Sequence, residues 1–214
     1  MSSDPGAFVR AHTRLGAPPL VPEIRLYLAS EITPLWQATE ATLEQNQLPP
    51  PYWAFAWAGG QALARHILDH PALVAGRKLL DIGAGSGLVA IAGAKAGARA
   101  VAADPDPFAL AAIALNAAAN HVVVATERAD LIGTEGSWDV VLAGDMCYER
   151  PLAERLVAWL RRLAAEGVLV LLGDPGRAYL PGTGLTALAR YTVPTSLELE
   201  DRTSREAVVW RLSP

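Results

Sequence analysis

The segment Leu79-Leu80-Asp81-Ile82-Gly83-Ala84-Gly85-Ser86-Gly87-Leu88 constrains the fold more than any other stretch of this chain. Three glycines at alternate positions separate an apolar run from residues of helical composition, so the chain turns tightly between a strand and a helix there. Glycine permits positive φ and lets a ligand approach the backbone. The N-terminus of the following helix adds unpaired N–H groups with partial positive charge. The same residues also serve a plain tight turn, so the loop alone points to a polar ligand without naming it.

Around that turn, apolar runs and helical patterns alternate. A helix over 59–69 is stopped by Pro71. There follow a strand over 78–82, a helix over 87–96, a strand over 98–103, a helix over 107–120, strands over 122–126 and 138–143, a helix over 152–165 and a strand over 167–172. The strands read as buried on both faces, which predicts a doubly wound, Rossmann-like α/β fold with a mostly parallel sheet and helices on both sides. The tail predicts a last helix over 182–189, then a hairpin of 191–200 and 206–212 joined by the charged turn 201–205. Residues 1–50, punctuated by prolines, read as an extension packed on a domain spanning 51–214, with 23–28 either a short helix or a strand.

A chain of 214 residues fits one large domain, and its net charge of −4 disfavours a broad grip on nucleic acid or anionic membrane. No apolar run is long enough for a membrane span. The single cysteine, Cys147, excludes an internal disulfide and a zinc-ligand pattern, which suits a reducing compartment. A cytoplasmic monomer without a metal is the expectation.

The position of acidic residues narrows the ligand. A dinucleotide fingerprint reads G-x-G-x-x-G, whereas Gly83, Gly85 and Gly87 are spaced G-x-G-x-G, two positions after Asp81. A pyrophosphate beside that carboxylate is repelled. A ligand with a cationic amino-acid end is favoured, and S-adenosylmethionine has one. Asp104, at the next strand tip, is placed either to accept hydrogen bonds from ribose hydroxyls or to serve the turn Asp104-Pro105-Asp106-Pro107, with Asp106 as the helix cap. Asp130-Leu131 follows the third strand, where an acidic side chain can meet an adenine amino group. Three acidic residues at three successive strand ends fall on the sheet edge where open α/β folds bind ligands.

Through Asp81 to Gly87, Asp104 and Asp130-Leu131 the sequence resembles the class I S-adenosylmethionine-dependent methyltransferases. That resemblance implies a seven-stranded sheet with an antiparallel last strand. The segment Asp145-Met146-Cys147-Tyr148 resembles the acidic-x-x-Tyr motif of the lysine methyltransferase group. Pro51 to Leu63, Gly144-Asp145-Met146 and Gly173-Asp174-Pro175-Gly176-Arg177 are similar to the electron transfer flavoprotein β-subunit lysine methyltransferases. The chain departs from several relatives at Cys147, where an aromatic is found, and at Ala58, where proline is frequent. The resemblance implies a protein-lysine substrate, the flavoprotein β subunit as partner, and S-adenosylhomocysteine as the product of the cofactor.

Methyl transfer from a sulfonium is an in-line displacement, so the protein aligns the acceptor lone pair and needs no nucleophile of its own. Asp145 and Tyr148, after the fourth strand, are the candidate catalytic pair, one positioning the amine and the other orienting it by hydroxyl or ring. A helix cap for Asp145 and simple packing for Tyr148 are the bland alternatives. Trp53 and Trp57 fall at i, i+4, a spacing that lets both cover a cofactor from one face; the family resemblance implies Trp57 as the cofactor neighbour, with Trp53 on the acceptor side or in the core. Glu149, Asp174 and Arg177 are the remaining candidates for lining the acceptor entrance, although Asp174-Pro175-Gly176 is also good turn chemistry. Three other functions stay open: methylation of a ribosomal protein, methylation of a small amine, and non-catalytic nucleoside binding.

Overall fold

The computed structural model describes residues 4–29, 50–195 and 203–214. Helix α1 (Pro5–His12) is capped by Asp4, whose Oδ1 accepts the Gly6 N–H at 2.9 Å. Strands β1 (Arg14–Gly16) and β2 (Leu26–Leu28) form a small antiparallel ribbon, so the 23–28 segment resolves as a strand end. A 3-10 turn at Tyr52–Ala54 leads into α2 (Ala58–Asp69). Then come β3 (Lys78–Ile82), α3 (Leu88–Lys95), β4 (Arg99–Ala103), α4 (Pro107–Ala119), β5 (Ala125–Glu127), β6 (Val140–Gly144), α5 (Arg150–Ala165), β7 (Leu169–Asp174), β8 (Leu185–Pro194) and β9 (Ser204–Leu212).

The large sheet has the order β5-β4-β3-β6-β7-β9-β8. Strands β3 to β7 pair in parallel, and β9 lies antiparallel between β7 and β8. The chain therefore runs outward from β3 to β5 and returns to lay β6 against the other side of β3. That reversal leaves a crevice at the C-terminal ends of β3 and β6, the position at which doubly wound sheets bind ligands.

Strand alternation sorts the core into two layers. Leu79, Ala100, Ala102, Val140, Leu142, Leu171 and Val209 face α2, α3 and α4. Leu80, Ile82, Ala103, Val141, Ala143, Val170 and Leu172 face α5 through Leu156, Trp159, Leu160 and Leu163. Helix α5 is strongly amphipathic, as a helix with one wet side requires. Helix α3 is buried almost all round, and its sequence is correspondingly apolar.

Asn116 of α4 and its C-cap Asn120 hold the N-terminal segment in place. Asn116 is fully buried; its Oδ1 accepts the Tyr27 N–H at 2.7 Å and its Nδ2 donates to Ser86 O at 2.8 Å. Asn120 Oδ1 accepts the Arg25 N–H at 3.0 Å and Nδ2 donates back to Arg25 O at 2.6 Å. Val21, Ile24 and Leu26 are then buried against Ala64, Leu88 and Ile91. Trp36 and residues 196–202 of the expected hairpin and its turn lie outside the described residues.

Three sequence expectations are corrected. The helix over 182–189 is absent, because Leu185–Pro194 is strand β8, laddered to β9 with a bulge at Ala187/Ala189. Cross-strand hydrogen bonding there overrides the helical preference of Leu and Ala. The strand over 122–126 starts only at Ala125 and is exposed, not buried, at the sheet edge. The α4 terminus consumes the residues before it: His121 sits at φ 56° and the Val122 N–H closes back on Ala117 O. His66, read from the sequence as a surface or helix-end residue, lies in the last turn of α2 but is buried there, with its ring 3.5 Å from the Tyr191 hydroxyl.

Candidate functional site

Gly83 and Gly85 have φ of 65° and 50°, a backbone turn that other residues rarely adopt. A Cβ on Gly83 would overlap the Met146 thioether, so this glycine also makes room for the β6 loop. Gly87 is the N-cap of α3 at φ 76° and backs onto Ile113 rather than onto the crevice. The turn opens on a cavity of about 450 Å³ lined by Trp53, Trp57, Asp81, Gly83, Gly85, Asp104, Asp130, Asp145, Tyr148 and Arg177. Such a volume is ordinary for a cofactor site.

Asp81 is buried with Oδ2 accepting the Ala90 N–H at 3.0 Å. Burial pushes its carboxyl up to about 7, with the negative Asp104 adding to the effect. Asp104 is held by two backbone donors, Gly85 N–H at 2.9 Å and Asp106 N–H at 3.0 Å, while burial still raises its pKa. Asp106 is the α4 cap, accepting the Phe108 N–H at 2.8 Å, which leaves Asp104 aimed at the glycine turn instead of at the helix. Asp130 ion-pairs with Arg155 at 2.6 Å and keeps a place on the cavity wall. Leu131 packs on the α5 face of the sheet, outside the cavity lining.

A carboxyl with a raised folded pKa favours the native state in its protonated form. That contribution is complete below the ordinary value near 4 and is lost as pH rises through about 7. Buried His66, with its pKa lowered by burial, acts in the opposite sense over part of that window, so a variant isolates the carboxyl. Asp81→Asn keeps an acceptor for Ala90 and removes the charge. Its melting temperature is expected to match the wild type at pH 4 and to exceed it by at least about 4 °C at pH 8, on the scale of roughly 2–4 °C per kcal/mol. A difference independent of pH, read by calorimetry, overturns the assignment.

The second half of the site lies at the tips of β6 and β7. Asp145 follows β6 at φ 57°, a conformation a non-glycine residue holds only when its surroundings insist. Its Oδ2 accepts the Gly60 N–H at 2.8 Å and its Oδ1 pairs with Arg177 at 2.9 Å. Burial raises its pKa to about 6 against the opposing pull of Arg177. It does not cap α5; that position is Glu149, which is exposed and outside the cavity lining. Asp174, the last residue of β7, is buried and makes a turn in which its Oδ1 accepts the N–H groups of Gly176 and Arg177, both at 2.7 Å. Asp174 thereby aims Arg177 at Asp145 instead of lining the cavity itself.

Tyr148 is 42% exposed at the mouth, with its ring 5.5 Å from Tyr52. Tyr52 stands 6.0 Å from Trp57, whose Nε1 donates to Tyr52 O at 3.0 Å. The rim is therefore three aromatic rings beside one carboxylate. Tyr52 and Met146 escaped the sequence reading: Tyr52 precedes two tryptophans that looked more informative, and Met146 carries no charge or periodicity that marks it. Trp53 is buried against Phe8 and Phe108, as its core reading expects, and also lines the cavity. Cys147 is buried, and its thiol is pushed up to about 12, which makes it an inert filler.

Among the described residues no helix is long and apolar enough to cross a membrane, and no group of acidic, histidine or cysteine side chains is arranged to hold a metal.

The family model described as ribosomal protein L11 methyltransferase (PrmA) matches residues 62–179. The electron transfer flavoprotein beta subunit lysine methyltransferase of Xenopus laevis is 39% identical over 98% of this chain and 87% of its own length. That of Danio rerio is 40% identical over 90% of this chain and 76% of its own. The crystal structure of magnesium protoporphyrin IX methyltransferase from Synechocystis PCC 6803 with bound SAM shares the fold at TM-score 0.54 and 16% identity, covering 73% of this chain and 80% of that one.

Proposed function

Because the chain belongs to the electron transfer flavoprotein beta subunit lysine methyltransferase family, and is thus a methyltransferase, we propose that it methylates lysine side chains of that flavoprotein subunit with S-adenosylmethionine as donor. The observation that carries the substrate class is the site mouth, where the buried Asp145 lies among Tyr52, Trp57 and Tyr148. An acidic floor with aromatic walls suits an alkylammonium, and the Arg177 cation beside it is already paired with Asp145.

The cavity fits the donor. Asp81 and the bare backbone of Gly83 and Gly85 suit its cationic amino-acid end, Asp104 suits the ribose hydroxyls, and Asp130 suits the adenine amino group. When bound, S-adenosylmethionine supplies an electrophilic methyl group on a positively charged sulfur. Everything else falls to the chain itself. Asp145 attracts the acceptor ammonium and by its charge holds the proton on, whereas the aromatic rim strips water from the amine, which lowers an ordinary lysine pKa and favours release of the proton to solvent. Tyr148, whose hydroxyl is pushed up to about 12 by burial and by its acidic and phenolic neighbours, stays protonated; it orients the amine and does not act as a base.

Incubating the protein with methyl-labelled cofactor and purified flavoprotein is expected to place label on lysines of the β subunit, located by mass spectrometry. The match to the PrmA model gives a second reading, and label appearing on ribosomal protein L11 in place of the flavoprotein would favour it. Label on neither protein sinks the proposal.

A further inference from the structure

The carboxylate that the acceptor needs already has a cation on it. Arg177 Nη2 and Nε lie 2.9 Å and 3.2 Å from Asp145 Oδ1, and the guanidinium stands 5.6 Å from the Trp57 ring centroid. Asp145 Oδ2 accepts from Gly60 while Arg177 holds Oδ1, and Asp145, Arg177 and Trp57 all line the cavity. The arrangement of carboxylate floor, indole wall and long aliphatic stem is the arrangement a lysine ammonium requires in the same place.

The arginine side chain also reaches the surface. Its backbone is pinned by Asp174, but its side chain is 20% exposed and springs from a turn whose Gly176 and Ala178 are open to solvent. Swinging the guanidinium out gives up its contacts with Asp145 and with Trp57. Leaving Asp145 buried with no cation is costly, so the swing occurs readily only when another cation takes the vacated position.

We propose that Arg177 is the specificity filter of the acceptor site: it is a resident cation between Asp145 and Trp57, displaced only by an acceptor that arrives as a cation. This rests on the lysine reading above and deepens it. Neutral acceptors fail because they abandon Asp145, whereas an ammonium replaces what it removes.

The test compares wild type with Arg177→Met and Arg177→Lys at pH 8 and saturating cofactor, with the flavoprotein β subunit as acceptor. Loss of the internal competitor is expected to lower KM for the acceptor at least about threefold in Arg177→Met, with Arg177→Lys between the two. Cofactor Kd, measured by calorimetry as a control for folding, is expected to stay within about twofold. A KM that is unchanged or raised makes the guanidinium a fixed support and overturns the filter. An arm that does not depend on activity uses methylguanidinium, which is expected to raise the melting temperature of Arg177→Ala and not that of wild type. Equal responses overturn the proposal as well. If wild type transfers no methyl group to lysine, the functional reading fails, while the methylguanidinium arm still decides whether the box binds an exchangeable cation.

Discussion

Replacing Asp145 by Asn is expected to lower methyl transfer by a factor on the order of 10² or more while leaving cofactor affinity within about threefold of wild type. The substitution is chosen for its conservatism. Asn tolerates the positive φ at this position and still offers an oxygen to the Gly60 N–H, so the β6 tip and the N-terminus of α2 keep their contact. Only the charge goes, and with it the group that attracts an acceptor ammonium and balances Arg177. The proposed cofactor contacts, Asp81, Asp104 and the glycine turn, are held by hydrogen bonds to Ala90, Gly85 and Asp106, whereas those of Asp145 go to Gly60 and Arg177. Initial rates paired with titration calorimetry separate the two effects. Transfer within about threefold of wild type removes Asp145 from the acceptor site.

The second large effect is on stability and comes from residues with no chemistry of their own. Helix α2 meets the tip of β7 through Gly59 and Gly173 with no space for a side chain on either. A Cβ on Gly173 overlaps the Gly59 carbonyl oxygen and falls 2.9 Å from Leu63 Cβ, while a Cβ on Gly59 overlaps Gly173 O and falls 2.6 Å from Asp145 Oδ2. The obstacles are mostly backbone and cannot rotate away. Gly173→Ala is therefore expected to destabilise by at least about 3 kcal/mol, at the upper end of overpacking costs, and to lower the melting temperature by at least about 6 °C. Gly182→Ala, with open space around its Cβ position, serves as the control and is expected to stay within about 1 kcal/mol of wild type. If both variants melt together with wild type, the close approach is not real.

These two contacts explain why the donor half of the site was more legible in the sequence than the acceptor half. Asp81, Gly83 and Gly85 sit on one strand-to-turn segment, so their spacing in sequence is their spacing in the fold. Asp104 and Asp130 follow the next two strands outward from β3 and needed only the parallel order to be brought to one edge. Leu131 and Gly87 show the limit of that logic, because farther along the loops that leave β5 and β3 the side chain or backbone turns to the core. Glu149 is a similar case: its charge suggested the acceptor site, but the start of α5 leaves it on the outside.

The apolar strand runs, the helical periods between them and the glycine turn with its acidic neighbour were determined by sequence alone, because each is a local pattern whose meaning survives without knowing what packs against it. Tertiary structure decided that Leu185–Pro194 is a strand, since only the β9 ladder distinguishes it from a helix, and that Asn116 and Asn120 clasp the N-terminal segment. It also decided that Asp145, Arg177, Trp57 and the Gly59–Gly173 contact share one corner. Those residues are distant along the chain and are brought together only when β6 doubles back beside β3, a consequence of sheet order that no window of sequence encodes.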